Sequence, residues 1–229
     1  MIEAGRKRSA LLLPFLLFAA ACQQPASASE TVVRAPAAKV RADEGPGKQI
    51  AIFAGGCFWG VEGVFSHTKG VSSAVSGYHG GSKQSADYKK VSSGLTQHAE
   101  AVQVVYDPKV VRYDELVRIF FSVIADPTQL NRQGPDTGTQ YRSALVPMNA
   151  GQRKVAAAYL KQLENSGLWD APIVTRIEEH DRFYPAEAYH QDFMKANPRH
   201  PYIVRWDAPK VQAFKDLYPK LYKPGFTPR

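Results

Sequence analysis

Apolar and polar residues follow two different periods along the chain, and the pattern predicts strands that alternate with helices. Short apolar runs that end at turn-forming residues predict four strands, at 49–54, 99–106, 141–146 and 172–177. Apolar residues spaced three and four apart predict four helices, at 113–125, 151–165, 186–196 and 209–218. Because strands and helices interleave without an internal repeat, the pattern favours a two-layer α/β sandwich.

The first 21 residues have the composition of a bacterial-type export signal. Arg6, Lys7 and Arg8 form a positive segment, and the apolar stretch 10–21 that follows ends in small residues. This stretch is shorter than the ~20 residues of a membrane-spanning helix, which excludes a polytopic membrane protein. We therefore expect 1–21 to be a signal peptide and the protein to be exported.

Two fates are open at Cys22, which follows three alanines directly. The site resembles those at which a new N-terminal cysteine is acylated, and a lipid there would anchor the protein to the cell envelope. Ordinary cleavage nearby, for example after Ala26 or Ala28, would instead release a periplasmic form. Residues 22–47 are rich in Ala, Pro and Ser and show no period, which predicts a flexible linker before a single domain at 48–229.

The overall composition is that of a globular protein and excludes one class of partner. Of the 229 residues, 44% are hydrophobic and 22% charged, close to the averages of soluble domains. The net charge of +8 is spread along the chain, and no basic run is longer than 6–8. A dispersed positive charge does not build a groove that follows phosphates, so we expect no nucleic-acid partner.

The predicted domain contains a single cysteine, Cys57. In an exported protein an unpaired cysteine is either buried and inert or kept free because it reacts. Cys57 follows Gly55 and Gly56 at the end of a strand and precedes the predicted start of a helix. The helix N-terminus favours a thiolate and predicts a lowered pKa for Cys57, while Phe58 and Trp59 would supply the apolar walls of a substrate pocket.

Five segments together resemble the peptide methionine sulfoxide reductase A family. They are GCFWG at 56–60, GYHGG at 77–81, HAEAV at 98–102, DTGTQYRS at 136–143 and AYHQ at 188–191. The resemblance implies an α+β fold with a ferredoxin-like core and a mixed sheet. It also implies that 48–229 is a catalytic domain that reduces the S epimer of methionine sulfoxide, free or in oxidised proteins.

Reducing a sulfoxide with a thiol requires a nucleophilic sulfur, an acid for the oxygen and a pocket for the methyl group. Cys57 would attack the sulfur and keep the oxygen as sulfenic acid. Glu100 is the predicted acid, because it shares a strand face with Val102 and Val104, where desolvation raises a carboxyl pKa. The alternative is that Glu100 lies at a strand end, points to water and pairs with a lysine.

The resemblance assigns the remaining polar groups of the site. Tyr78 and Tyr141 would hold the sulfoxide oxygen through their hydroxyls, and Asp136 would complete the polar network near Glu100. The six histidines show no zinc-type spacing combined with a second cysteine, so we expect no metal site.

Relatives often carry further cysteines near the C-terminus, but 195–229 contains none. The chain therefore resembles the single-cysteine type, which has no bound cofactor and needs an external reductant such as thioredoxin, glutaredoxin or a small thiol. We expect it to act as a monomer. Two other functions remain open: a cysteine-based peroxidase, and a non-catalytic lipoprotein that binds peptides.

Overall fold

The structure, a computed structural model, describes Met1 and residues 32–228. The predicted signal peptide beyond Met1 and the lipidation site at Cys22 lie outside the described residues. No helix among residues 32–228 is both long enough and apolar enough to cross a membrane.

A six-stranded sheet forms one layer of the domain, in the order β7-β6-β1-β3-β2-β8. Its neighbouring strands are antiparallel except β6 and β7, which run parallel, so the sheet is mixed. The strands are β1 (Gln49–Gly55), β2 (Val71–His79), β3 (Ala99–Tyr106), β6 (Ser143–Val146), β7 (Arg176–Ile177) and β8 (Phe183–Pro185). A separate hairpin consists of β4 (Arg132–Gln133) and β5 (Asp136–Thr137).

Helices cover one face of this sheet and bury the larger of two apolar clusters. The helices are α1 (Phe58–Ser66), α2 (Tyr88–Val91), α3 (Tyr113–Ile119), α4 (Ala150–Glu164), α5 (Phe193–Ala196) and α6 (Ala208–Leu217). The opposite face carries a small cluster built around Ile52, Ala101 and Val146. The expected α+β class with a mixed sheet is confirmed.

Most predicted elements are present with shifted ends. The helix predicted at 113–125 is α3 followed by a π-helical turn, Phe120–Ile124. The strand predicted at 141–146 begins only at Ser143, after a 3₁₀ turn, Thr139–Tyr141. Of the strand predicted at 172–177, only Arg176–Ile177 pairs with the sheet. These ends depend on contacts between distant segments, which periodicity does not report.

The helix predicted at 186–196 is wrong. The chain forms a 3₁₀ turn, Ala188–His190, and then α5, with Asp192 between them at a positive φ of 50°. Gln191 explains the break, because its side chain accepts a hydrogen bond from Ser76 N and donates to the carbonyls of Ser76 and Ala186. These three hydrogen bonds, two to Ser76 of β2 and one to Ala186 after β8, outweigh the helical pattern of the segment.

No strand is predicted from the sequence at Val71–His79, although β2 pairs with both β3 and β8. Serines at 72, 73 and 76 and the glycine at 77 weaken its apolar pattern. Backbone pairing with β3 and β8, and not the strand propensity of its own residues, therefore makes this segment a strand.

Residues 33–47 are part of the domain, which corrects the prediction of a linker over all of 22–47. Ala35 is fully buried; its N–H donates to Ser122 Oγ at 3.1 Å and its carbonyl accepts from Arg118 Nε at 2.8 Å. Glu44 accepts hydrogen bonds from the Tyr106 hydroxyl and the Tyr113 backbone N–H. A segment without a period can still be ordered when the domain supplies partners for its backbone.

Candidate active site

Cys57 lies at the turn between β1 and α1, where it occupies the N-cap position of the helix. The turn requires glycine at 56, because its φ is +85° and a Cβ there would lie 2.6 Å from Cβ of Gln133. Cys57 is 8% exposed. The Gly55-Gly56 pair thus lets a buried cysteine stand at the start of a helix.

The cysteine opens into a cavity of about 290 Å³. Its walls combine aromatic rings with two carboxyl groups and three tyrosine hydroxyls. The lining residues are Cys57, Phe58, Trp59, Tyr88, Glu100, Asp136, Tyr141, His200 and Tyr202. The structure therefore brings together six of the seven residues that the sequence analysis proposed for the site.

Glu100 projects from β3 into this cavity and is 2% exposed. Its Oε2 accepts a hydrogen bond from the Phe58 backbone N–H at 3.1 Å. Burial raises the pKa of Glu100 to about 8, and the nearby negative charges of Asp136 and Asp207 act in the same direction. Glu100 does not point to water as in the alternative interpretation, and at neutral pH its carboxyl is largely protonated.

The predicted low pKa of Cys57 is wrong for the structure described here. Burial raises the thiol pKa well above its ordinary value, and the charges of Asp207, Glu100 and Asp136 raise it further. A hydrogen bond from the Trp59 backbone acts in the opposite direction, as a helix N-terminus should. The helix effect is present, but burial and three carboxyl groups outweigh it.

Tyr78 is the one proposed site residue that does not line the cavity. Its hydroxyl donates to Glu187 Oε2 at 2.8 Å. Glu187 Oε1 accepts the backbone N–H of Tyr88 at 2.9 Å, and Tyr88 is the residue that lines the cavity. Tyr78 is thus connected to α2 through Glu187 and does not reach the cavity. Tyr88, which sequence reasoning missed, lines the cavity together with Cys57.

The other polar groups of the cavity come from residues 136–141 and from the C-terminal part of the chain. Tyr141 ends the 3₁₀ turn Thr139–Tyr141, and burial strongly raises the pKa of its hydroxyl, so it remains a hydrogen-bond donor. Asp136 accepts a hydrogen bond from the hydroxyl of Tyr202. Burial raises the pKa of Asp136 as well. Tyr202 was not proposed from the sequence, because it carries no local motif and reaches the cavity only through the C-terminal fold.

Trp59 forms a rigid apolar wall of the cavity. Its ring stacks on Phe193 with centroids 3.8 Å apart and planes inclined by 10°, and Nε1 donates to His190 Nδ1 at 3.2 Å. The rings of His200 and Tyr202 make edge-to-face contacts with the indole, with ring centroids 6.0 and 5.9 Å from that of Trp59. The C-terminal segment therefore fixes the indole in one orientation, which suits a small apolar group such as a methyl.

Within residues 32–228, Cys57 is the single cysteine, and no group of three His, Cys, Asp or Glu side chains is placed to hold a metal ion. The lining of the cavity supplies a thiol, a protonated carboxyl and tyrosine hydroxyls.

Comparison with protein families gives a match over most of the domain. Residues 49–221 match the family described as peptide methionine sulfoxide reductase. A relative from Mesorhizobium japonicum, peptide methionine sulfoxide reductase MsrA 2, is 57% identical over 177 residues, which cover 77% of this chain and 91% of that protein. MsrA 2 of Synechocystis sp. is 51% identical over 172 residues, covering 75% and 80%.

Solved structures of similar proteins have the same fold. The reduced form of Mxr1 from Saccharomyces cerevisiae matches with a TM-score of 0.63 and 35% identity, over 71% of this chain and 92% of that one. Methionine sulfoxide reductase A of Corynebacterium diphtheriae matches with a TM-score of 0.58 and 33% identity, over 75% and 88%.

Proposed function

This chain belongs to the peptide methionine sulfoxide reductase family and is a thiol-dependent oxidoreductase, and we propose that Cys57 takes the oxygen from the S epimer of methionine sulfoxide. One observation carries the proposal. Cys57 and the protonated carboxyl of Glu100 open into the same aromatic cavity, so a nucleophile and an acid face one small volume.

The reaction balances with these groups alone. Glu100 donates a proton to the sulfoxide oxygen, which makes the sulfur a stronger electrophile. The sulfur of Cys57 attacks the sulfur of the substrate and forms a sulfur–sulfur bond. The oxygen then transfers to the sulfur of Cys57 as the sulfur–oxygen bond of the substrate and the new sulfur–sulfur bond break, and methionine leaves as the two-electron reduced product. Cys57 is oxidised by the same two electrons to sulfenic acid, and its thiol proton replaces the one that Glu100 gave up.

The cavity distinguishes the two epimers because three directions at the sulfur are fixed. Phe58 and Trp59 form the apolar wall for the methyl group, and Glu100, Tyr88 and Tyr141 form the polar side for the oxygen. The remaining substituent, the peptide side, must then face the opening. Only one epimer places all three groups in this way while its sulfur faces Cys57.

An external thiol completes the cycle. The thiol attacks the sulfenic acid and releases water, and a mixed disulfide with Cys57 forms. A second thiol, such as the partner thiol of thioredoxin or glutaredoxin, or another small thiol, then releases reduced Cys57. The absence of another cysteine from residues 32–228 supports the single-cysteine type.

Export is a further part of the proposal. The positive segment at 6–8 and the apolar stretch at 10–21 support a periplasmic or lipid-anchored enzyme that repairs oxidised proteins of the cell envelope. About ten residues separate Cys22 from Val32, a span of at most ~35 Å when extended, so a lipid at Cys22 would hold the domain close to the membrane. The mass of the mature N-terminus, measured from the expressing bacterium, distinguishes acylated Cys22 from cleavage after Ala26 or Ala28.

Replacing the nucleophile tests the proposed function. We expect Cys57→Ser to show no detectable reduction of methionine S-sulfoxide with dithiothreitol, and the wild type to leave the R epimer unreduced. Cys22→Ser is the matched control and should keep full activity. A single turnover without reductant should add one oxygen to the mass of Cys57. Product that accumulates while Cys57 remains unoxidised contradicts the mechanism.

A further inference from the structure

A buried glutamate on α1 joins the helix to the sheet and to the segment that holds Trp59. Glu62 is 2% exposed and lies three positions after Trp59, on the same face of α1. Its Oε2 accepts a hydrogen bond from the hydroxyl of Ser76 on β2 at 2.8 Å. Its Oε1 accepts one from the backbone N–H of Asp192, the N-cap residue of α5, at 3.1 Å. One carboxyl group thus connects three elements of the fold.

Ser76 is the common partner of two side chains in this region. It is completely buried, and its backbone N–H and carbonyl both form hydrogen bonds with the side chain of Gln191. Ser76 therefore holds Gln191 through its backbone and Glu62 through its hydroxyl, while Glu62 holds Asp192. We call these four residues, Glu62, Ser76, Gln191 and Asp192, the anchor cluster.

The anchor cluster fixes the two residues that contact Trp59 from the C-terminal side. His190 and Phe193 lie immediately before and after the pair 191–192. Nδ1 of His190 accepts a hydrogen bond from the indole, and the ring of Phe193 stacks on it. Both reach the same indole because Asp192 turns the chain at a positive φ of 50°. A non-glycine residue in this conformation needs support from its surroundings, and the hydrogen bond to Glu62 supplies it.

Close packing between α5 and α1 adds to this restraint. A Cβ at position 63 would lie 2.5 Å from Cε of Met194, so glycine at 63 lets the residue after Phe193 lie directly against α1. Trp59 lines the cavity and Phe193 does not, so the phenyl ring supports the indole from outside the cavity. The space beside the indole therefore depends on where the anchor cluster holds Phe193.

We propose that Glu62 is a positioning residue that, through the anchor cluster, fixes the indole of Trp59 and so restricts the small substituent on the sulfoxide sulfur to a methyl group. The inference rests on the proposed function, in which Phe58 and Trp59 form the wall for that methyl. A wall that is fixed from behind disfavours a substituent with one more carbon, because a closely packed site accepts an extra methylene only at a cost. Without the hydrogen bond to Asp192, Phe193 and the indole can move back and an ethyl group fits.

The relative rates on a methyl and an ethyl sulfoxide test this inference. Values of kcat/KM are measured with dithiothreitol for the S epimers of methionine sulfoxide and of ethionine sulfoxide, in which ethyl replaces the methyl. One methylene in an apolar pocket changes such rates by about tenfold or more, so we expect the wild type to prefer the methyl substrate by about tenfold. Glu62→Leu has a similar size but accepts no hydrogen bond. It should lower this preference by about fivefold, with a higher KM for the methyl substrate.

Two further variants separate positioning from a general loss of stability. Glu44→Leu removes a glutamate with the same kinds of partner, a tyrosine hydroxyl and a backbone N–H, at a place away from the cavity. It should keep the wild-type preference, because a smaller folded fraction lowers both rates equally. Glu62→Gln can accept the Asp192 N–H through its amide oxygen and donate to the Ser76 hydroxyl through its amide nitrogen. It should therefore also keep the wild-type preference.

The inference is supported by a lower methyl preference in Glu62→Leu together with wild-type preferences in Glu62→Gln and Glu44→Leu. It is overturned by an unchanged preference in folded Glu62→Leu, by an equal fall in either control, or by a wild type that does not distinguish the two substrates. If Glu62→Leu does not fold, Ser76→Ala decides, since it removes the hydroxyl bond to Glu62 and keeps the backbone bonds to Gln191. A fall of about twofold then supports the inference, and the wild-type preference overturns it.

Failure of this inference is distinguishable from failure of the proposed function. A wild type that reduces neither sulfoxide overturns the proposed function and the inference with it. A wild type that reduces methionine S-sulfoxide through Cys57, while Glu62→Leu keeps the same methyl preference, overturns the inference alone.

Discussion

Two glutamates on opposite faces of the sheet, buried Glu100 and half-buried Glu178, differ in pKa by several units. Glu100 accepts a backbone hydrogen bond from Phe58 and has no ion pair with any residue in the described range 32–228, and its pKa is raised to about 8. Glu178 accepts two hydrogen bonds from Arg142, at 2.6 and 3.1 Å, and lies 3.4 Å from His79 Nδ1, and its pKa is lowered to about 2.

The difference shows that the neighbouring charge, and not burial alone, decides what a buried carboxyl can do. Burial penalises the charged form of both groups, but hydrogen bonds from His79 and Arg142, together with the positive charge of Arg142, more than offset that penalty for Glu178. Glu178 is thus a fixed anion. Through Arg142, which also donates to the carbonyls of Gln97 and Thr139, it holds the loop that carries Tyr141. Glu100 lacks such a cation and can exchange a proton near neutral pH.

The largest effect is expected when the exchangeable proton is removed. Glu100→Gln keeps the shape of the side chain but cannot give up a proton, so kcat/KM for methionine S-sulfoxide should fall by about a thousandfold. Steady-state kinetics with a saturating thiol measure the change. Glu44→Gln is the matched control, because burial also raises the pKa of Glu44 but this residue lies away from the cavity. Full activity of Glu100→Gln would contradict the assigned role.

The next largest effect is expected in the free energy of unfolding, when Glu178 on the opposite face of the sheet from Glu100 is replaced. Glu178→Gln leaves the buried guanidinium of Arg142 without its anion, and we expect a loss of about 3 kcal/mol in the free energy of unfolding at pH 7. Because the pKa of Glu178 is lowered in the folded state, this contribution is present above pH 4.5 and should disappear as pH falls towards 2. Urea unfolding at several pH values checks it, with exposed Glu179→Gln as the control. Equal stability of both variants would contradict the comparison.

The two glutamates should also show opposite dependence of stability on pH. The folded pKa of Glu100 is raised, so its contribution is fully present below its ordinary pKa of 4.5 and is lost as pH rises through about 8. Permanently neutral Glu100→Gln should therefore gain roughly 2.5 kcal/mol relative to the wild type between pH 5 and pH 7. Thermal unfolding across this range measures the gain. A constant difference between the two proteins would show that Glu100 titrates at its ordinary value.

The smallest expected effect distinguishes the two tyrosines on either side of Glu187. Tyr88→Phe removes a hydroxyl that lines the cavity and should lower kcat/KM by about tenfold, the value of one hydrogen bond to the reacting oxygen. Tyr78→Phe removes a bond to Glu187 and should cost about 1 kcal/mol of stability with little change in activity. Steady-state kinetics on both variants measure the two values of kcat/KM. A larger loss of activity in Tyr78→Phe than in Tyr88→Phe would show that the Tyr78 hydroxyl acts in the active site.

Much of this molecule follows from local sequence. Gly55 and Gly56 before Cys57 determine a sharp turn into a helix, and the alternation of Glu100 with Val102 determines which face of β3 the carboxyl shares with the core. Local rules succeed at these positions because a turn and a strand face depend on the backbone of a few neighbouring residues. The family resemblance of five short segments likewise needs no tertiary information.

The tertiary structure alone decided which groups meet at the sulfur. Tyr88 enters the cavity and Tyr78 does not, because Glu187 binds the hydroxyl of one and the backbone of the other from more than ninety residues away. The thiol pKa of Cys57 is raised where the helix N-terminus predicted a lowered one, because the fold buries the thiol and brings Asp207, 150 positions further along the chain, close to it. Electric fields and burial depend on distance in space, and distance along the sequence does not reveal it.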